Sequence, residues 1–295
     1  MRTLCATDGS ADAFTAIRAA VRLLNPKNRQ LDLLCVAPTY HAAGDGRRID
    51  YERRILSETT QVLEKTRAAL APNGGVVNLV TEVGSPSATI VERTEDYDLT
   101  VIGPKGRGTP NGVGLGPVAS RVVEHATGPV LVGREVRTDD GLRVLFAVDG
   151  STASLHALKT ALAMFDLNSA EVCLMHVVET PWIQLGLDED WSTYSDEDKE
   201  NSEAGALEKE MVREGQDVIE QARDLLRGYG MSVSTRTDEG TPANEILSEA
   251  QRGQYDLIVI GATGTRDLKH KMLGSVSSRV AWDAPCSVLI VRAPE

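Results

Sequence analysis

Gly261, Gly264, Gly274 and Ser275 fall in one stretch, GATGTRDLKHKMLGS, with two residues between the first glycine pair and nine between Gly264 and Gly274. A glycine that ends an apolar run, here YDLIVIG, followed closely by a second, lets backbone N–H groups turn toward a ligand with no Cβ in the way. Gly274 and Ser275 open a helical pattern, SVSSRVAWD. The unpaired N–H groups and positive dipole end of such a helix start suit phosphate. The Ser275 hydroxyl adds a donor, and Arg266, Lys269, His270 and Lys271 place positive charge in the connecting loop. Asp149 closes another apolar run, RVLFAVD, where a carboxylate can accept hydrogen bonds from ribose hydroxyls or an adenine edge. These residues suit the binding of a phosphorylated nucleoside. An ordinary strand-to-helix turn capped by Ser275 needs the same residue types, so spacing alone leaves both readings open. His176 reads better as a packed or backbone-bonded residue than as a base, and His270 better as a solvated loop position than as a phosphate ligand. The chain has no G-K-S or G-K-T phosphate loop, no metal-ligand cluster, and no nucleophile with a base at motif spacing. It is therefore not expected to be a fast enzyme.

The elements that position these residues occur twice. LCATDGSADAFTAIRAA from Leu4 returns as LFAVDGSTASLHALKTA from Leu145, EVGSPSATIVE from Glu82 as EGTPANEILSE from Glu239, and YDLTVIGPKGRG from Tyr97 as YDLIVIGATGTR from Tyr255. The order is kept while the separation widens, so the second copy carries an insertion. The acidic stretch ETPWIQLGLDEDWSTYSDEDKE is the place for it. It reads as a solvated loop, although Trp182 and Trp191 suggest that part of it packs on something. REVRTDDG serves as a short polar linker, giving domains at 1–137 and 141–295.

In the second copy RVLFAV, EVCLMHVV, MSVSTRT, YDLIVIG and SVLIVR read as strands. TASLHALKTALAMF, PANEILSEAQ and SVSSRVAWD read as helices, as does a longer one with its apolar face on Leu207, Met211, Val218, Ala222 and Leu225. Five strands joined by helical crossovers imply an α/β fold: two tandem Rossmann-like domains, each a five-stranded parallel sheet with helices on both faces. Ligands of such sheets sit beyond the carboxyl ends of the strands, where the strand order reverses. Asp149, His176, Val177 and Gly261 all fall at strand ends.

With 295 residues, 41% of them hydrophobic, the chain can form two ordinary cores. Its net charge of -12 argues against a general electrostatic grip on nucleic acid or an anionic membrane. Cys5, Cys35, Cys173 and Cys286 are scattered singly in apolar surroundings and read as buried, reduced thiols. With no signal-peptide pattern and no apolar run of spanning length, the expected location is the cytoplasm.

AVDGS on the first strand, HVVE on the second, and G-x2-G-x9-G-S before a helix together resemble the universal stress protein family in its tandem two-domain form. The resemblance covers nearly the whole chain. It implies adenine-nucleotide binding, with ATP held by Asp149, Val177, Gly261, Gly264, Gly274, Ser275 and Val276, and magnesium or manganese entering on the nucleotide. In the first copy Asp8, Val36, Gly103, Gly106 and Gly116 match, but Pro117 stands in the place of Ser275, which removes a hydroxyl and an N–H. The resemblance further implies a nucleotide-dependent regulator in the stress response, hydrolysing ATP slowly at most. A nucleotide-free dimeric scaffold and a nucleotide hydrolase are the alternatives. The family's strand order puts PVLVG and SVLIVR at sheet edges, so the halves are expected to pair there as a pseudo-dimer. A homodimer of the whole chain and an unnamed regulated protein complete the expected partners.

Overall fold

The computed structural model describes residues 1–27, 29–39, 45–70, 76–108, 114–137, 141–179, 203–264 and 272–293. Each half begins with the same local device. Gly9 and Gly150 both adopt φ +78, a left-handed conformation that favours glycine. The preceding Asp accepts from the N–H two residues on, at 2.9 Å for Asp8 and Ser10 and 3.0 Å for Asp149 and Ser151. Each serine then caps the next helix, accepting from Ala13 N or Ser154 N. The D-G-S motif therefore turns a buried strand directly into a helix.

The first half runs β1 (Arg2–Ala6), α1 (Ala11–Leu23), β2 (Gln30–Pro38), α2 (Asp45–Leu70), β3 (Val76–Gly84), α3 (Pro86–Arg93), β4 (Leu99–Ile102), α4 (Pro117–His125) and β5 (Val130–Val132). The second runs β6 (Arg143–Ala147), α5 (Thr152–Met164), β7 (Glu171–Val178), α6 (Glu203–Gly228), β8 (Val233–Glu239), α7 (Pro242–Arg252), β9 (Leu257–Gly261), α8 (Ser275–Asp283) and β10 (Ser287–Val291). Pro86, Pro117 and Pro242 each open a helix, where proline's missing N–H costs nothing.

All ten strands form one sheet in the order β3-β2-β1-β4-β5-β10-β9-β6-β7-β8. Within each half the pairing is parallel. The strand order reverses between β1 and β4, and again between β6 and β9. β9 and β10 are buried at every position, as central strands covered on both faces must be. β8, at an edge, alternates partly buried residues with exposed polar ones.

The halves meet where β5 and β10 pair antiparallel, with Leu131 opposite Leu289. This antiparallel join and the mirrored strand order fit a two-fold axis through that pair, as expected from the sequence. Side chains repeat the symmetry. Arg134, just after β5, donates to the carbonyls of Cys286 (3.0 Å) and Ala281 (2.8 Å) at the C-terminal end of α8. Arg292, just after β10, donates to Val123 (3.0 Å) and Glu124 (2.7 Å) at the end of α4. A guanidinium suits a helix C-terminus, where carbonyls lack partners and the dipole is negative. On the other face Asn25 N donates to Met164 O and Asp166 N to Leu23 O, which joins the ends of α1 and α5.

Two apolar layers, one per face, each run across this seam. One holds Leu33, Leu131, Phe146, Leu174 and Leu289, the other Leu34, Val122, Val132, Ile258 and Val280. The start of the linker is anchored as well: Arg137 grips the buried carboxylate of Asp256 at 3.1 Å through both Nε and Nη2. In α6 the apolar face is the expected one shifted by a residue, with Ile219, Ala222 and Leu226 buried and Val218 and Leu225 beside them. The side chain of Leu207 lies outside the described residues.

Candidate functional site

A cavity of about 480 Å³ opens at the carboxyl ends of β6, β7 and β9, between α6 and the start of α8. Asp149, Val177, Gly261, Gly264, Gly274, Ser275 and Val276 all line it. The first-turn bonds of α5 hold Asp149: its Oδ1 accepts from Ser151 N and from the Ser151 hydroxyl, at 3.0 and 2.6 Å. A Cβ at Gly264 would lie 2.9 Å from Asp149 Oδ2, so glycine is what lets the loop pass the carboxylate. Gly261 has another task. A Cβ there would sit 2.9 Å from both Ala153 C and Ser154 N, so its glycine lets β9 end against the first turn of α5. The Gly261 carbonyl accepts from the buried Ser277 hydroxyl at 2.6 Å, tying the strand end to α8.

The start of α8 differs from the sequence expectation in two details. Gly274 is the capping residue and Ser275 the first helical one, so Ser275 is not the N-cap. The Gly274 N–H donates to Ala262 O at 2.8 Å and is used inside the protein. The N–H groups of Ser275, Val276 and Ser277 open the helix and have no intrahelical partners. They line one side of the cavity with the Ser275 hydroxyl.

The other side is apolar, walled by Met175, Val177 and Val178 of β7 and by Met211 and Val218 of α6, with Glu179 and Glu214 among them. His176 Nδ1–H donates to Val148 O at 2.8 Å, the backbone-bonded role expected of it. Its ring lies against Gly215, where a Cβ would come 2.7 Å from His176 Cδ2. The α6 contribution was not legible as a site. Its one signal was Gly215, since glycine inside a helix costs about 1 kcal/mol relative to alanine and usually has a packing reason. Arg266, Lys269, His270 and Lys271, and the acidic insertion with Trp182 and Trp191, lie outside the described residues.

The first half repeats the framework with different contents. A Cβ at Gly103 would lie 2.8 Å from Ala13 N, and one at Gly106 2.7 Å from Asp8 Oδ2. Gly116 caps α4, donates to Pro104 O, and is followed by Pro117 as the first helical residue. Asp8 Oδ2 accepts from Arg107 N at 2.6 Å. Burial raises the Asp8 pKa, but hydrogen bonds from Ser10 and Arg107 outweigh it and hold the carboxyl below its usual value. Val36 is half-buried against an apolar layer, and Cys35 occupies the place of His176. Among the described residues no group of three or more His, Cys, Asp or Glu side chains could hold a metal, and no helix is long and apolar enough to cross a membrane.

The sequence matches the family model described as the universal stress protein family over residues 1–134 and 142–292. A universal stress protein of Mycolicibacterium smegmatis is 27% identical over 98% of this chain and 96% of its own length. One from Methanocaldococcus jannaschii is 34% identical over 52% of this chain and 83% of its own length. The crystal structure of a universal stress protein from Archaeoglobus fulgidus superposes with a TM-score of 0.70 at 19% identity, covering 99% of this chain and 98% of that one, a likeness of fold. With the family model matched twice in order along nearly its whole length, this chain belongs to the universal stress protein family.

Proposed function

We propose that the protein binds ATP in its second half and acts as a nucleotide-dependent regulator in the stress response, with units at 1–137 and 141–295. The observation that carries this reading is the cavity itself, within the usual range of small-ligand sites, where an apolar slot and Asp149 share one space with Ser275, Val276 and Ser277 at the start of α8, whose N–H groups have no intrahelical partners. The base takes the slot beside Val177, Asp149 accepts from the nucleoside, and the phosphates meet Ser275, Val276 and Ser277. Magnesium or manganese enters on the nucleotide, since magnesium draws much of its shell from phosphates and water. Hydrolysis is slow at most in this reading: His176 Nδ1–H is held in a hydrogen bond to Val148 O.

Titration with magnesium-ATP, with magnesium-GTP as control, tests the proposal. Gly274 has φ -65 and ψ 154, backbone angles open to any residue, and it lines the cavity. Gly274→Glu should weaken ATP binding tenfold or more, because each hydrogen bond to a charged group is worth about 1.5–3 kcal/mol and a new carboxylate repels phosphate. The matching Gly116→Glu should change binding little. A wild-type protein that binds neither nucleotide would refute the proposal. A larger loss from Gly116→Glu would place the working site in the other half.

A further inference from the structure

We infer that Arg107 fills the cleft of the first half, so that the chain holds one nucleotide, and that this residue decides it. The inference rests on the nucleotide reading of the second half and asks what separates the two copies. In the second half a Cβ at Gly150 would lie 2.7 Å from Val218 Cγ2, so the start of α5 and the long helix α6 stand close there. Asp149 and Val218 both line the cavity. The first half has the same frame, with Gly9 facing Val62 of α2 and the Val62 methyls 3.1 Å from a Cβ at Gly9. Arg107 Nη2 lies only 2.5 Å from that same Cβ position. Its guanidinium therefore lies across the gap between α1 and α2.

The Arg107 backbone is fixed in turn, since its N–H donates to Asp8 Oδ2 at 2.6 Å. Electrostatics agree with an inward-facing cation. Burial and then Asp8 push the Cys35 thiol up to about 11, and Arg107 opposes them, so its charge reaches the residue that stands where His176 stands in the other copy. Arg107 is an exposed residue and not part of the core, as a cover over the cleft would be. The matching position of the second copy in the sequence holds Thr265, an uncharged residue with a much shorter side chain than arginine.

Arg107→Thr puts that residue into the first half. The test counts bound magnesium-ATP by calorimetry for wild type, Arg107→Thr, Gly274→Glu and the double variant. Wild type should bind one equivalent, Arg107→Thr two, Gly274→Glu almost none, and the double variant one. The new site should be about tenfold weaker than the native one, because Pro117 still lacks an N–H. Arg107→Lys, which keeps charge and reach, should stay at one. The inference fails if Arg107→Thr leaves the count at one, or if it lowers binding that Arg107→Lys preserves, which would make Arg107 a phosphate ligand. If wild type binds nothing while Arg107→Thr binds one equivalent, the second-half reading fails and the cover stands. If no variant binds, both fail.

Discussion

Arg134→Met tests how far the two halves form one unit. The substitution keeps much of the apolar stem and removes the guanidinium, which now donates to Cys286 O at 3.0 Å and Ala281 O at 2.8 Å. Two hydrogen bonds from a charged donor amount to about 3–6 kcal/mol in all. Burial opposes this, since it lowers the Arg134 pKa by desolvating the cation. A net loss of about 2–4 kcal/mol follows, which for a chain of this size is a fall in Tm of roughly 3–6 °C. Arg292→Met should cost less, because Arg292 Nη1 is buried without a partner and its removal also relieves an unmet donor. Differential scanning calorimetry gives both numbers. One cooperative transition should persist in each variant, since both apolar layers cross the seam. A Tm for Arg134→Met within a degree of wild type, or an Arg292 variant that loses more, would refute the account of the seam.

Two further outcomes follow. Gly114 has φ +107, and a Cβ there would lie 2.5 Å from Trp282 Nε1 across the seam, so Gly114→Ala should lose about 2 kcal/mol and shift Trp282 emission, read by melting and fluorescence. Burial pushes the Cys5 and Cys286 thiols up to about 12. A raised folded pKa means stability that is fully present below the ordinary thiol value near 9 and lost as pH rises toward 12, so chemical denaturation midpoints should fall across that window, and less so in Cys5→Ala.

The fold was readable because its signals are local and appear twice. Apolar runs such as LIVIG mark strands covered on both faces, the D-G-S turns fix strand-to-helix changes, and Pro242 marks a helix start. The seam strands followed from the edge positions that the family's order implies. The arginines that secure the seam were hidden. Arg134 and Arg137 read as polar linker residues, because their partners at Ala281, Cys286 and Asp256 are more than a hundred residues away and no periodicity encodes such a bond. The α6 wall of the cavity was hidden for a similar reason. Met211 and Val218 were legible as an apolar stripe, but their position over the strand ends depends on how the helix returns across the sheet. The Gly274 N–H is bonded to Ala262 O, a pairing between residues twelve apart that no local pattern encodes.

The duplicated frame also changes what the glycines mean. Gly103 and Gly261 both stand where a Cβ would strike the first turn of their own half's opening helix, α1 or α5, and Gly106 and Gly264 both stand against the strand-end aspartate. Their presence in the first copy follows from packing alone and gives no sign that this copy binds nucleotide. Other positions of the aligned motifs differ between the copies: Pro117 against Ser275, Cys35 against His176, Arg107 against Thr265. Each change leaves the fold intact, since proline suits a first helical position and a buried thiol suits an apolar layer. On the proposed reading, nucleotide capacity in each half depends on these few positions and not on the motif that first draws attention to it. Replacing these glycines with alanine should disturb folding in both halves, whereas exchanging Pro117 with Ser275 and Arg107 with Thr265 should move nucleotide binding from one half to the other.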